Sequence, residues 1–157
     1  MNANFKITAL EANEFKNLFE LSTSELSAVC GVRILVDQKP GFPCRVSLED
    51  AEVGEEVVLF PYEHHKLESP YQAKGPIFVR KNAKTADLQV NEVPKMLEHR
   101  LLSLRVYDQE GMMIDARTLE GKYLQKEVVA VFEDDQAKYI HVHNASPGCY
   151  NCQIERA

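Results

Sequence analysis

Short stretches in which apolar and polar residues alternate recur along the chain, and this period is typical of half-buried β-strands. In residues 102–107, Leu102, Leu104 and Val106 alternate with polar neighbours. Continuous apolar runs bounded by Gly, Pro and polar residues indicate further strands. The pattern predicts about eight strands, near residues 5–9, 32–36, 43–48, 56–62, 76–80, 102–107, 138–143 and 149–155.

Helical spacing of apolar residues is confined to a few short segments. Residues 12–20 have this spacing, and Ser22 and Glu25 form a capping-box pattern that starts a second helix over 23–30. One helical turn is expected at 97–100. The longest helix is predicted over about 121–133, where apolar residues mark one face.

The order of these elements predicts the fold class. Connections are of hairpin length, and strands do not alternate regularly with helices, so a parallel βαβ sheet is not expected. The sequence therefore predicts an α+β fold, with a mainly antiparallel sheet and three or four short helices. With no internal repeat or linker, residues 1–157 are expected to form a single domain.

Composition narrows the class of protein. Hydrophobic residues make up 45% of the 157 residues and charged residues 27%, which is typical of a soluble globular protein. A net charge of -6 without a basic run argues against nucleic-acid binding.

The first residues do not resemble a signal peptide, and no stretch is apolar enough for a membrane span. The expected location is the cytoplasm, where the four cysteines would be thiols.

Two His and two Cys lie close together near the C-terminal end. In a strand ending at His143, the side chains of His141 and His143 share one face, and together they can bind one metal ion. Thiolates of Cys149 and Cys152 could complete a tetrahedral site, so zinc is one hypothesis, although no cofactor is predicted firmly. The alternative is that the His are solvated and the Cys only pack.

A second hypothesis for the same segment is a reactive thiol. Cys149 would be the nucleophile, His141 or His143 its base, and Asn144 an orienting or oxyanion-binding amide. These residue types suit the chemistry, but neighbouring positions in sequence do not establish the geometry.

Three arginines on predicted strands suggest a binding site for an anion. Arg45, Arg80 and Arg105 could share a polar sheet face with Tyr107 and hold a carboxylate or phosphate. The alternative is that each arginine pairs with a nearby acidic residue in an ordinary ion pair. Separately, His64 and His65 end a strand where a sheet edge could carry function, although such a pair is more often simply solvent-exposed.

Several long motifs resemble those of a known bacterial family. The motifs are Gly41-Phe-Pro-Cys-Arg-Val-Ser-Leu-Glu-Asp-Ala51, Ser69-Pro-Tyr-x-x-x-Gly-Pro-Ile-Phe-Val-Arg80, Leu101-Leu-Ser-Leu-Arg-x-Tyr-Asp108 and His141-x-His-Asn-Ala-x-Pro-Gly-Cys149. Together they resemble the uncharacterised domain-of-unknown-function 1203 proteins over nearly the whole chain. The resemblance implies no activity. Cys152 lies outside the pattern, so no Cys-x-x-Cys mechanism is implied.

The function expected from the sequence is that of a small cytoplasmic enzyme or binding protein for an anionic small molecule. Its site would lie around His141, His143, Asn144 and Cys149, with Arg45, Arg80, Arg105 and Tyr107 as ligand-binding residues. The alternative is a non-catalytic structural or interaction protein, with or without a His/Cys metal site. The sequence does not specify the substrate or the oligomeric state.

Overall fold

The computed structural model describes residues 3–157 and contains two antiparallel sheets. One sheet has five strands in the order β1-β8-β7-β5-β6, and the other has three in the order β2-β3-β4. The strands are β1 (Phe5–Thr8), β2 (Val32–Leu35), β3 (Glu56–His65), β4 (Ala73–Arg80), β5 (Leu101–Tyr107), β6 (Met113–Glu120), β7 (Tyr139–Asn144) and β8 (Tyr150–Arg156).

The helices are short, as the sequence predicts. The α-helices are α1 (Thr23–Ala28), α2 (Lys95–Glu98) and α3 (Leu124–Val131), and 3-10 helices span Ala12–Glu14, Lys16–Glu20 and Gly121–Tyr123. The predicted α+β fold with antiparallel sheets is confirmed. None of the helices in the described part of the chain has the length and apolar character to cross a bilayer.

The main core lies on one face of the five-stranded sheet. Alternate residues of β5 and β7, including Leu104 and Val142, are fully buried there. Leu124 and Val128 of α3 pack against them, so α3 covers this face of the sheet. Burial of each such side chain contributes about 1.5–3 kcal/mol to folding. The opposite face of β5 and β7 bears polar and aromatic side chains.

A smaller core supports the three-stranded sheet. Phe15, from the segment between the first two 3-10 helices, packs with Ile77 and Val79 of β4 and with Cys44. Cys44 is completely buried in this core.

The local structure agrees with the sequence prediction at the start of α1 and differs from it in two other segments. The capping box of α1 is present, because the Ser22 side chain accepts a hydrogen bond from the Glu25 amide and the Glu25 carboxylate accepts one from Ser22. Residues 43–48 were predicted as a strand, but they form only isolated bridges and a turn closed by Leu48 N donating to Cys44 O. Residues 12–20 form two 3-10 helices instead of one helix.

Candidate metal centre

Strand β7 separates its side chains onto two faces, as its alternating sequence predicts. Ile140 and Val142 enter the main core, whereas Tyr139, His141 and His143 project from the opposite face, where their rings contact other aromatic rings and imidazoles. His141 and His143 are almost completely buried even so. A further layer therefore covers this face.

The register of β5 places three polar side chains beside those of β7. Ser103 pairs with His143, Arg105 with His141, and Tyr107 with Tyr139. Residues directly opposite each other in antiparallel strands have neighbouring side chains on the same face. The strand pairing therefore builds a polar surface from two strands that are separated by more than thirty residues of sequence.

A β-bulge in β3 adds two more imidazoles to this surface. Tyr62 pairs with Gly75 and His65 with Ala73, so two residues of β3 lie opposite one of β4. Consecutive side chains of a regular strand point to opposite faces, but here the rings of His64 and His65 both contact the His141 ring, with centroids 6.1 and 4.8 Å away. The bulge re-aims a side chain at a site, as bulges often do.

His64, His141 and His143 converge, and we call them the histidine cluster. One ring nitrogen from each lies within 4.8 Å of the other two. Three ring nitrogens, His64 Nδ1, His141 Nδ1 and His143 Nε2, are buried without a hydrogen-bond partner in the described chain. Leaving a buried polar atom unpaired costs about 1–3 kcal/mol, so three in one place indicate that a ligand belongs there.

The other nitrogens of His141 and His143 have partners that set the protonation of each ring. His141 Nε2 donates to Gln153 Oε1 at 2.9 Å, and His143 Nδ1 donates to the Gly148 carbonyl oxygen at 2.8 Å. A carbonyl oxygen only accepts, so the proton lies on that nitrogen and the unpartnered nitrogen carries a free lone pair. This pairing of an oriented N–H with a free lone pair is characteristic of metal-binding histidines.

The environment keeps the cluster uncharged at neutral pH. Burial, with a smaller contribution from the positive charge of Arg105, lowers the pKa of His64 to about 4 and that of His143 to about 3. Burial also lowers the pKa of His141 to about 4, against a raising effect of its hydrogen bond to Gln153. Neutral imidazole is the form that binds a metal, so no proton has to leave before coordination.

The donor set fits a transition-metal ion. Imidazole nitrogens bind zinc at about 2.0–2.1 Å, so two tetrahedral ligand nitrogens lie about 3.4 Å apart. The separations here extend to 4.8 Å, and the rings must approach by up to about 1.4 Å on binding. That shift is within reach of side-chain rotation. Three histidines leave at least one coordination position open.

Aromatic rings enclose the cluster. The Tyr150 ring stacks on His64 with centroids 5.0 Å apart and planes 5° from parallel, and it also contacts the rings of His141 and His143. Tyr150 is itself buried, which raises the pKa of its hydroxyl well above the ordinary value. The ring therefore shields the histidines from water on one side, while the half-buried His64 lies at the accessible side.

His65 lies next to the cluster but is not free to bind a metal. Its Nδ1 donates to the Tyr71 carbonyl oxygen at 2.8 Å, and its Nε2 accepts from the Tyr139 hydroxyl at 2.6 Å. Both ring nitrogens are therefore used. Burial raises the pKa of Tyr139 to about 12, so the phenol keeps its proton for this hydrogen bond.

A family model described as "Protein of unknown function (DUF1203)" matches residues 41–156. The chain belongs to this family. The matched residues include the whole histidine cluster together with Arg105 and Tyr150, so the site lies within the DUF1203 domain. The chain matches no curated protein and no solved structure.

Within the DUF1203 domain, the cysteines predicted as metal ligands lie elsewhere. Cys152 is fully buried in the main core, on the face of the sheet opposite the histidines, and burial raises the pKa of its thiol to about 12. Cys149 is half-buried in the turn before β8 and is not among the converging ligand groups of the described chain. Among the described residues, the group of potential ligands that contains His141 and His143 includes His64 and neither Cys149 nor Cys152.

Asn144 also points away from the histidines. Its Oδ1 accepts from Asn151 Nδ2 at 2.8 Å, and its backbone N–H donates to the Cys149 carbonyl oxygen at 2.8 Å. These bonds hold the β7–β8 turn. The proposed triad of Cys149, a histidine and Asn144 is not assembled, because alternation along β7 places Asn144 and His143 on opposite faces.

Two of the three predicted anion-binding arginines have protein partners. Arg45 is completely buried, with Nε donating to the Tyr150 carbonyl oxygen at 2.7 Å and Nη1 to that of Pro43. Arg80 forms ion pairs with Glu55 and Glu49, both at 2.9 Å, as the alternative interpretation expected. The guanidinium groups of Arg45 and Arg80 are therefore occupied by partners within the protein.

Arg105 and Tyr107 are the predicted residues that lie beside the cluster. Arg105 is half-buried next to His141, and its charge acts on all three histidines. Tyr107 is buried and packs on His65, with ring centroids 4.2 Å apart. Burial raises the pKa of Tyr107, and the Arg105 charge opposes that effect.

The sequence predicts no specific role for His64, the third member of the cluster. A pair of histidines ending a strand was the only available signal. The decisive feature is the bulge, and its position depends on how β3 pairs with β4.

Proposed function

We propose that this protein is a metal-dependent enzyme or ligand-binding protein, whose functional group is a divalent transition-metal ion held by His64, His141 and His143. The observation that carries the proposal is that three histidines converge and that each has a buried ring nitrogen without a partner in the described chain. Without a ligand, the free-energy cost of three buried, unpaired ring nitrogens would be uncompensated.

The ligand chemistry narrows the choice of metal. Imidazole suits zinc, copper, iron and nickel, whereas magnesium and calcium prefer oxygen ligands. Three neutral histidines with an open fourth position make up one of the ligand sets of catalytic zinc sites. A metal there would bind water or an anionic small molecule, and it could polarise that ligand or lower the pKa of the bound water.

Metal binding to purified, untagged protein tests the proposal. Zinc affinity would be measured by competition with a chromophoric chelator, for the wild type and for the His64→Ala and His143→Ala variants. We expect about one zinc per chain for the wild type and a large loss of affinity in both variants. His99→Ala is the matched control, because His99 lies outside the cluster and is partly exposed.

The cysteine variants separate the two candidate ligand sets. Cys149→Ser and Cys152→Ser should retain zinc, since neither thiol is a ligand in this proposal. If both lost zinc while His64→Ala kept it, the metal would be bound by the His/Cys set and the three-histidine site would be rejected. If the wild type bound no transition metal, the proposal would fail altogether.

The expected cellular setting is part of the proposal. We place the protein in the cytoplasm, and the four free thiols support a reducing compartment. The excess of acidic residues supports a small-molecule ligand over nucleic acid.

A further inference from the structure

Arg105 is a half-buried cation with no carboxylate partner among residues 3–157. The ion pairs of the described arginines involve Arg33, Arg80, Arg100 and Arg117, and Arg105 takes part in none of them. It lies directly across the strand pair from His141, on the same face. A positive charge in a partly buried place is costly unless an anion compensates it.

The histidine cluster cannot supply that compensation. Its three imidazoles are neutral, and no Asp or Glu of the described chain joins the group of converging ligands. Once a divalent metal binds, the metal and Arg105 together bring a formal charge of about +3 to a site enclosed by aromatic rings, where charges interact more strongly than in water.

We propose that the open metal position and Arg105 together bind a small oxyanion, a carboxylate or phosphate group, with one oxygen on the metal and another on the guanidinium. This inference rests on the three-histidine metal site proposed above. The guanidinium can donate to an oxygen that the metal leaves free, and a single spherical anion offers no such second atom. Arg105 is therefore the residue that determines the substrate class.

Cobalt(II)-loaded protein provides the test, because visible absorption bands of bound Co²⁺ change when its ligands change. Acetate, inorganic phosphate and chloride would be titrated separately into the wild type and into the Arg105→Gln and Arg105→Lys variants. Arg117→Gln is the matched control, since Arg117 pairs with Asp115 and Glu127 away from the cluster. Co²⁺ affinity and thermal unfolding are recorded for every variant, so that loss of fold is recognised.

We expect acetate or phosphate to bind the wild type more tightly than chloride does. Arg105→Gln should weaken that binding about 10- to 100-fold, with Co²⁺ affinity retained. Arg105→Lys should show an intermediate loss, because it keeps the charge but not the paired donors. Tighter binding of acetate would assign the site to carboxylates, and tighter binding of phosphate would assign it to phosphoryl groups.

Two other outcomes have different meanings. If Co²⁺ binds but oxyanions bind no better than chloride, or equally well to the wild type and Arg105→Gln, the role of Arg105 is refuted and the metal site stands. If Co²⁺ does not bind to the wild type, the metal site itself is refuted and this inference falls with it.

Discussion

The Gln153 side chain holds the His141 ring in one orientation and one protonation state. Gln153 Oε1 accepts from His141 Nε2 at 2.9 Å, while Gln153 Nε2 donates to Glu155 Oε1 at 2.7 Å. Because a carboxylate accepts but does not donate, Glu155 fixes which end of the amide faces His141. The proton of His141 therefore stays on Nε2, and Nδ1 presents its lone pair to the cluster.

This relationship predicts the effect of Gln153→Leu. The variant keeps the approximate volume of the side chain but removes the acceptor, so the His141 ring can rotate or change tautomer. Loss of such a supporting partner typically costs 10- to 100-fold in metal affinity, and we expect zinc affinity to fall by about that factor. Chelator competition measures it.

A surface glutamine provides the control. Gln136 is exposed, and Gln136→Leu should leave zinc affinity unchanged. If Gln153→Leu bound zinc as tightly as the wild type, the hydrogen bond would have no role in metal binding.

Zinc should also stabilise the folded protein. A ligand that binds only the native state adds RT ln(1 + [L]/Kd) to the free energy of unfolding, or about 2.7 kcal/mol at a free zinc concentration of 100 times Kd. Thermal unfolding with zinc and with excess chelator measures this difference. The wild type should unfold at a higher temperature with zinc, whereas His143→Ala should show little difference. Equal shifts in both proteins would place zinc elsewhere on the chain.

The half of the site that lies on one strand was predictable from the sequence. Alternation along β7 predicts that His141 and His143 share one face, and they lie together on the face opposite the core residues Ile140 and Val142. The position of Arg105 beside them follows from the pairing of β5 with β7. Alternation predicts which face a residue occupies, but it does not predict which strands are neighbours.

The remainder depends on irregular backbone. The bulge in β3 brings His64 to the cluster. A second register shift lies between Val142 and His143, where β7 pairs with β8. Because of this shift, Tyr150 pairs with His143, whereas Cys152 pairs with Val142. Proximity in sequence had grouped Cys152 with the histidines, although the sheet separates them. Bulges arise from pairing between distant segments, so a period-two pattern contains no sign of them.

A buried ion pair outside the site predicts a large effect on stability. Asp50 binds Arg100 through both oxygens, at 2.5 and 3.1 Å, and its side chain is only 7% exposed. Removing one member of such a pair leaves the other charge buried and typically costs 3–5 kcal/mol. We expect Asp50→Asn to lower the free energy of unfolding by about that amount, measured by urea denaturation at pH 7. Asp115→Asn, in a more exposed pair, should cost about 0–1 kcal/mol.

The same pair should make stability depend on pH. Burial alone would raise the pKa of Asp50, but hydrogen bonds and charges from Arg100 and His99 outweigh it, and the pKa is lowered below 3.8. The unfolded state then binds the proton more readily, so the stabilisation is complete above pH about 4 and is lost as the pH falls through the folded-state pKa. The stability difference between wild type and Asp50→Asn should therefore narrow below pH 4. A constant difference from pH 7 to pH 3 would contradict an ionised Asp50.

Removal of the Tyr139–His65 hydrogen bond should lower the stability of the fold and leave zinc affinity nearly unchanged. Tyr139→Phe removes the hydroxyl that donates to His65 Nε2 and leaves that buried nitrogen without its partner. We expect the free energy of unfolding to fall by about 1–3 kcal/mol. Zinc affinity should stay within about threefold of the wild type, because His65 is not a ligand and the His64, His141 and His143 nitrogens are unchanged.

Tyr123→Phe, at an exposed position, is the control for loss of a phenol hydroxyl. A Tyr139→Phe protein of unchanged stability that no longer bound zinc would instead assign His65 to the metal centre, and the three-histidine set would need revision.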